Sequence, residues 1–74
     1  MELPKWFDGT EYDFKDAVNV RNPFTGQEYP LNAKELSMYD YILGCEALKL
    51  YKPMQKGLDW FRKANCEAYM VLLD

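Results

Sequence analysis

Few side chains in this chain could do acid–base or nucleophilic chemistry. It has no histidine, so the side chain that most often transfers protons near neutral pH is absent. A desolvated carboxylate can take that role, and the candidates are Asp40 with Glu46, or Asp59 alone. Cys66 begins a predicted helix, where a thiol can become nucleophilic, but no base lies beside it in the sequence. We therefore predict that the protein is not an enzyme and has no catalytic residue.

The acidic residues near the N-terminus raise the question of a calcium site. An EF-hand loop needs oxygen ligands at alternate positions, a central glycine and a closing glutamate. The acids of this segment do not have that spacing; they are Asp8, Glu11, Asp13 and Asp16. Cys45 and Cys66 are too few for a zinc site without histidine, and we expect both as reduced thiols. The sequence predicts no metal and no cofactor.

A row of lysines offers a different chemistry, contact with phosphates. Lys49, Lys52, Lys56 and Lys63 return at helical intervals, as they would on a helix–turn–helix-like pair. Asp59 interrupts the row, and 12 acidic against 9 basic residues give a net charge of −3, which argues against nucleic-acid affinity built on lysine and arginine. We favour an ordinary solvated helix face as the explanation of the row. A small nucleic-acid-binding regulator is therefore the alternative function.

Residues 1–30 should form an aromatic arm and a β-hairpin. Residues 1–16 are rich in aromatic and acidic side chains and predict an irregular arm, or a hairpin turning at Asp8-Gly9. Over residues 17–30, Val18 and Val20 alternate as in a strand. The segment 22–26, Asn-Pro-Phe-Thr-Gly, is strong turn chemistry. Phe24 at its tip either folds back onto the body, which we favour, or is a contact for a partner.

The helical part, residues 31–74, starts with a clear signal. Asn32 and Glu35 form a capping-box pair, and Leu31 with Leu36 can form a hydrophobic staple. A helix over residues 33–51 follows. We predict that its buried stripe consists of Leu36, Tyr39, Leu43, Ala47 and Leu50.

Pro53 predicts a break, because proline lacks an N–H and disfavours a helical residue before it. We favour two helices, the second over 53–64, with a kinked single helix as the alternative. Gly57 would allow close helix contact. Asn65 can close the second helix or cap a third that begins at Cys66.

The C-terminal run is apolar on nearly all sides, which suggests that an oligomer interface takes part of it. Its residues are Tyr69, Met70, Val71, Leu72 and Leu73. With Phe24 they form the predicted protein interface. The fold class that follows for the single domain, residues 1–74, is α+β: an N-terminal aromatic arm and β-hairpin followed by two or three packed helices.

Four segments carry a resemblance to a known group. They are the turn at 22–26 and the stretches 38–44 (MYDYILG), 57–61 (GLDWF) and 68–74 (AYMVLLD). Over about residues 18–74 the chain resembles small uncharacterised proteins encoded by tailed phages of marine bacteria, cyanophages among them. The resemblance implies synthesis inside an infected bacterium, as a minor virion or assembly component or as an effector that binds a host protein.

The function that these observations favour is non-enzymatic protein–protein interaction with self-association. Six tyrosines, each with a polar hydroxyl at the tip of its ring, suit a surface that meets another protein. No export segment is recognisable and the longest apolar run is too short to cross a bilayer, so we expect a cytoplasmic protein without membrane contact. Its partner would be a host protein or a second copy.

Overall fold

The computed structural model describes residues 1–73 and contains two strands followed by three helices. The elements in chain order are β1 (Val18–Arg21), β2 (Glu28–Leu31), α1 (Ala33–Ala47), α2 (Tyr51–Ala64) and α3 (Cys66–Leu72). The strands form one antiparallel hairpin. This confirms the predicted α+β fold, with three helices rather than two.

The hairpin has the predicted turn chemistry. Val18 pairs with Leu31 and Val20 with Tyr29 across the ladder. The Asn22 side-chain oxygen accepts the backbone N–H of Phe24 at 2.9 Å, and Gly26 takes a positive φ of 79°, which glycine adopts without strain. The loop therefore closes on local hydrogen bonds.

The start of α1 confirms the predicted capping box. The Asn32 side chain accepts the Glu35 N–H at 2.8 Å, and the Glu35 carboxylate accepts the Asn32 N–H at 2.9 Å. The other Glu35 oxygen accepts the Asn65 amide at 3.1 Å, while the Asn65 oxygen accepts the Ala68 N–H at 3.1 Å. One carboxylate thus connects the N-termini of α1 and α3.

The break between α1 and α2 lies at residues 48–50, and α1 ends four residues before the predicted limit. Lys49 has a φ of 60°. Its N–H donates to Glu46 O at 3.1 Å, and the Leu50 N–H donates to Cys45 O at 2.8 Å. This is the Schellman arrangement, in which a left-handed residue ends a helix. Pro53 lies in the first turn of α2, where its missing N–H costs nothing. The two-helix prediction is confirmed, but this left-handed turn is what ends α1.

The two long helices cross closely at Gly57. A Cβ at this position would lie 2.8 Å from Ile42 Cγ1 and 3.3 Å from Met38 Sδ. Around the crossing lies the core, which contains Leu31, Met38, Tyr39, Ile42, Trp60, Phe61, Ala68 and Leu72. The prediction that this glycine permits close contact is confirmed.

The predicted buried stripe of α1 is wrong over its second half. Tyr39 is buried, but Leu43 is 42% exposed and Leu50 is 48% exposed. The face that meets α2 carries Met38 and Ile42, because those are the side chains opposite Gly57. Leu50 lies beyond the helix end, so helical spacing no longer determines where it points.

The N-terminal arm is irregular and packs across α1 and α2. The Trp60 indole N–H donates to Glu2 O at 2.9 Å, and the Glu2 carboxylate pairs with Lys34 at 3.0 Å. The Phe7 and Tyr41 rings have centroids 5.2 Å apart. The arm therefore covers the helix pair with aromatic contacts and hydrogen bonds.

The two helical glycines give a matched test of the crossing. We expect Gly57→Ala to lower the free energy of unfolding by about 1 kcal/mol, because overpacking costs about 1–3 kcal/mol and outweighs the helix propensity of alanine. Gly44 has no atom within 4 Å of its would-be Cβ, so Gly44→Ala should raise stability by about 1 kcal/mol. Urea unfolding measures both. Equal effects of the two substitutions would contradict the close crossing.

The left-handed backbone of Lys49 predicts that glycine at this position stabilises the protein. Lys49→Gly should raise the free energy of unfolding by about 0.5–1 kcal/mol, because the left-handed backbone conformation costs residues other than glycine about 1–2 kcal/mol. The gain is smaller than this cost because glycine also increases the conformational entropy of the unfolded chain. Lys49→Ala removes the same charge but keeps a Cβ and serves as the control. A glycine variant no more stable than the alanine variant would show that this turn carries no strain.

Candidate protein-interaction surface

Several large apolar side chains lie on the surface, and Phe24 is the most exposed of them at 95%. The expected fold-back of Phe24 onto the body is therefore wrong. Others are concentrated at the end of α1 and the start of α2, with one on α3: Leu43, Leu48, Leu50, Tyr51 and Met70. Isolated exposed apolar residues are common, so the arrangement around each decides its meaning.

The turn that presents Phe24 is anchored to the body. Asn22 is 7% exposed and directs its oxygen to the turn, accepting the Phe24 and Thr25 N–H groups. Its amide N–H donates to the carbonyl of Val71 at 2.9 Å. One buried side chain thus fixes the hairpin tip to α3, and the Phe24 backbone is held in place before any partner arrives.

A groove of about 210 Å³ lies beside this tip, and we call it the hairpin groove. The residues lining it come from the hairpin, α1 and the C-terminal end: Asn22, Pro23, Phe24, Tyr39, Leu43, Glu46, Leu72 and Leu73. The structure therefore brings together three residues of the predicted interface, Phe24, Leu72 and Leu73. Leu43, which sequence periodicity assigned to the core, forms part of the wall.

The rest of the predicted C-terminal interface is dispersed. Leu72 is only 6% exposed and belongs to the core, and Tyr69, Val71 and Leu73 are half-buried against it. Met70 is 60% exposed and lies on the opposite side of α3 from Leu72 by helical spacing. The run is apolar on most sides because α3 packs against both α2 and β2. Asp74, the last residue of the quoted resemblance, lies outside the described residues.

Opposite charges lie on α1 and on the hairpin. Glu46 lines the hairpin groove, and the Arg21 guanidinium lies beside the turn, 3.4 Å from the position of a Cβ on Gly26. Arg21 faces Glu28 in the strand register, yet within residues 1–73 neither Arg21 nor Glu46 takes part in an ion pair. As far as these residues are concerned, both charges can meet an external partner.

A second groove, of about 340 Å³, lies where the two long helices join. Tyr41, Cys45, Leu48 and Leu50 contribute to its walls, with Asp8 from the arm. Burial raises the pKa of Tyr41 to about 12, with further contributions from the adjacent Cys45 thiol and Asp8 carboxylate. The phenol is therefore neutral at physiological pH and can only act as a hydrogen-bonding group.

A third cleft, of about 580 Å³, separates the arm from the start of α1. Glu11, Asp13 and Lys34 are among its lining residues. A hydrogen bond to Glu2 raises the pKa of Lys34, and Glu11 and Asp13 add to the effect. The lysine that lines this cleft is thus already paired within the chain, and the capping box uses the N–H groups of Asn32 and Glu35.

The predicted basic strip is only partly assembled. Lys52, Lys56 and Lys63 are exposed on α2 at spacings of four and seven, while Lys49 lies in the turn before the helix. Lys56 and Lys63 line a groove with Trp6 and Asp59. The Lys56 ammonium lies 5.7 Å from the centre of the Trp6 ring, and Trp6 itself is 36% exposed.

Two of the residues considered for catalysis already have partners within the chain. Asp40 accepts a hydrogen bond from the Tyr12 hydroxyl, which raises the pKa of Tyr12, and Asp59 pairs with Arg62 at 3.3 Å. Cys66 is exposed and Cys45 is buried, both as free thiols. In the part of the chain that the structure describes, no three potential metal ligands converge.

The comparisons with known proteins give no relative from which a role could be transferred. No family model, curated protein sequence or solved structure matches this chain. Over residues 1–73, no helix has the length and apolar character needed to cross a membrane. The candidate surface is therefore interpreted from its own geometry.

Proposed function

We propose that this protein is a non-enzymatic protein–protein interaction module that self-associates and uses the hairpin groove and Phe24 as its contact site. The observation that carries this proposal is a phenylalanine, 95% exposed, on a turn whose backbone is already fixed. Burying an aromatic ring removes roughly 150–250 Å² from water. A pre-ordered turn also reduces the entropy lost on binding. Aromatic anchors of this kind dominate many interfaces.

The surroundings of Phe24 support the same function. An interface needs apolar surface around its anchor that excludes water. Leu43 and Leu73 supply such surface inside the groove, and Glu46 adds a charge at its edge. A second contact region is available at the α1–α2 turn through Leu48, which is 71% exposed.

Self-association would also supplement a small core. A chain of 74 residues buries only about 60–65% of the surface that its unfolded chain exposes, and chains of this size commonly gain stability from oligomerisation. Binding between folded copies raises stability by mass action. The apolar surface left on α1 would then be buried between two copies instead of staying exposed to water.

The biological setting follows from the sequence resemblance to small phage proteins. We propose that the chain acts in the cytoplasm of an infected bacterium, as a host-interacting effector or as a minor assembly or virion component. Either role requires contact with another protein, which the hairpin groove would provide.

We do not extend the proposal to catalysis or to nucleic acid. Of the carboxylates weighed for acid–base chemistry, Asp59 is paired with Arg62 and Asp40 accepts a hydrogen bond from Tyr12. The lysine row contains Asp59, and the Lys56 ammonium lies 5.7 Å from the centre of the Trp6 ring. These contacts within the chain favour the protein-contact proposal over either alternative.

Solution mass tests the proposal. Sedimentation equilibrium from about 1 to 500 µM should show a mass that rises above the 8.8 kDa of one chain, since dimers held by a few apolar anchors dissociate in the micromolar range. The assembly should persist at high salt, because apolar burial is the main term. A protein that stays monomeric throughout and retains no protein on an affinity column would contradict the proposed function.

A further inference from the structure

We infer that the occupant of the hairpin groove is Phe24 of a second copy, exchanged reciprocally across a two-fold axis. This inference rests on the proposed function and names its partner and geometry. The ring would leave solvent and lie against Leu43 and Leu73 of the other chain.

The surface around Phe24 offers both a projection and a recess, so it can be self-complementary. In a two-fold interface the same patch occurs on both sides, so each copy must offer both a projection and a recess on one face. Phe24 projects from the hairpin tip and also borders the groove. A two-fold axis near the tip therefore places each ring over the recess of the other copy.

Opposite charges on the hairpin and in the groove favour the same arrangement. Arg21 ends β1, with its guanidinium beside the turn, and Glu46 on α1 lines the groove. When the turn of one copy enters the groove of the other, Arg21 approaches the opposite Glu46, and symmetry repeats the pair. These two contacts oppose the repulsion between chains that each carry a net charge of −3. Complementary charges of this kind set register and orientation.

The area that the two rings would bury is consistent with a two-fold contact. Two buried phenylalanine rings remove about 300–500 Å² from water, at roughly 150–250 Å² for each ring. A stable interface buries about 1,200–2,000 Å² in total. The rings thus supply roughly a quarter of it, and the hairpin tip, Pro23 and the outer face of α1 around Leu43 are the surfaces available for the rest. This size fits a reversible dimer.

The experiment combines truncation with charge exchange, read by sedimentation velocity and native mass spectrometry. Phe24→Ala should weaken the dimer at least about tenfold, as expected for a central aromatic anchor. The residue makes little contact with the rest of the chain, so folding should be unaffected. Met70→Ala, on the far side of α3 and also exposed, is the matched control and should leave the dimer unchanged.

The charge exchange tests whether Arg21 of each copy contacts Glu46 of the other. Arg21→Glu and Glu46→Arg should each weaken their own dimer about tenfold, because like charges would meet twice. Mixed in equal amounts, the two variants should form a heterodimer of near wild-type affinity, since every Arg21–Glu46 contact then joins opposite charges.

The outcomes separate this inference from the proposed function. A dimer that survives Phe24→Ala, or single charge variants without mutual rescue, would overturn the reciprocal exchange and leave self-association standing. A wild-type monomer that binds another protein through Phe24 would also overturn it, while keeping the groove as a docking site. A monomer that binds no protein would overturn both.

Discussion

The contact of α1 with α2 at Gly57 is the constraint on which the rest of the structure depends. Because no Cβ is present there, Ile42 can approach within a distance that any other residue would block. This approach determines which side of α1 faces inward and places Met38 and Ile42 in the core. The hairpin and α3 then close over the same core, with Tyr29 donating to Glu67 at 2.9 Å between them.

The same contact explains why the surface of α1 carries an apolar residue. Since α1 presents Ile42 to α2, Leu43 faces outward beside the hairpin. The anchored turn places Phe24 next to it, and the left-handed residue Lys49 ends the helix before Leu50 can be buried. The apolar side chains available to a partner are therefore a consequence of how the core closes, and their position beside the hairpin is the basis for proposing a protein contact.

Sequence reasoning succeeded where the determining chemistry is local. The Asn32–Glu35 cap, the Asn22 turn and the Asn65 cap each depend on residues within a few positions of one another, and all three are present.

Sequence reasoning failed where a residue far along the chain determines the local structure. Whether Leu43 or Ile42 joins the core depends on Gly57, which is fourteen positions from Leu43 and fifteen from Ile42, and helical periodicity alone does not show which side of α1 meets that glycine. The end of α1 was missed because a lysine in left-handed conformation gives no signal in the sequence. The bond that holds the hairpin tip to α3 joins Asn22 to Val71, and the groove beside Phe24 includes Leu72 and Leu73; no local pattern contains these contacts.

The central claim, that Phe24 of one copy occupies the hairpin groove of another, can be measured directly by an isotope-filtered NOE experiment. An equal mixture of ¹³C-labelled and unlabelled protein would be recorded at a concentration where the dimer predominates. We predict intermolecular cross-peaks between the Phe24 ring protons and the methyl groups of Leu43 and Leu73. Intermolecular cross-peaks confined to Met70 or Tyr51, with none from Phe24, would contradict the account.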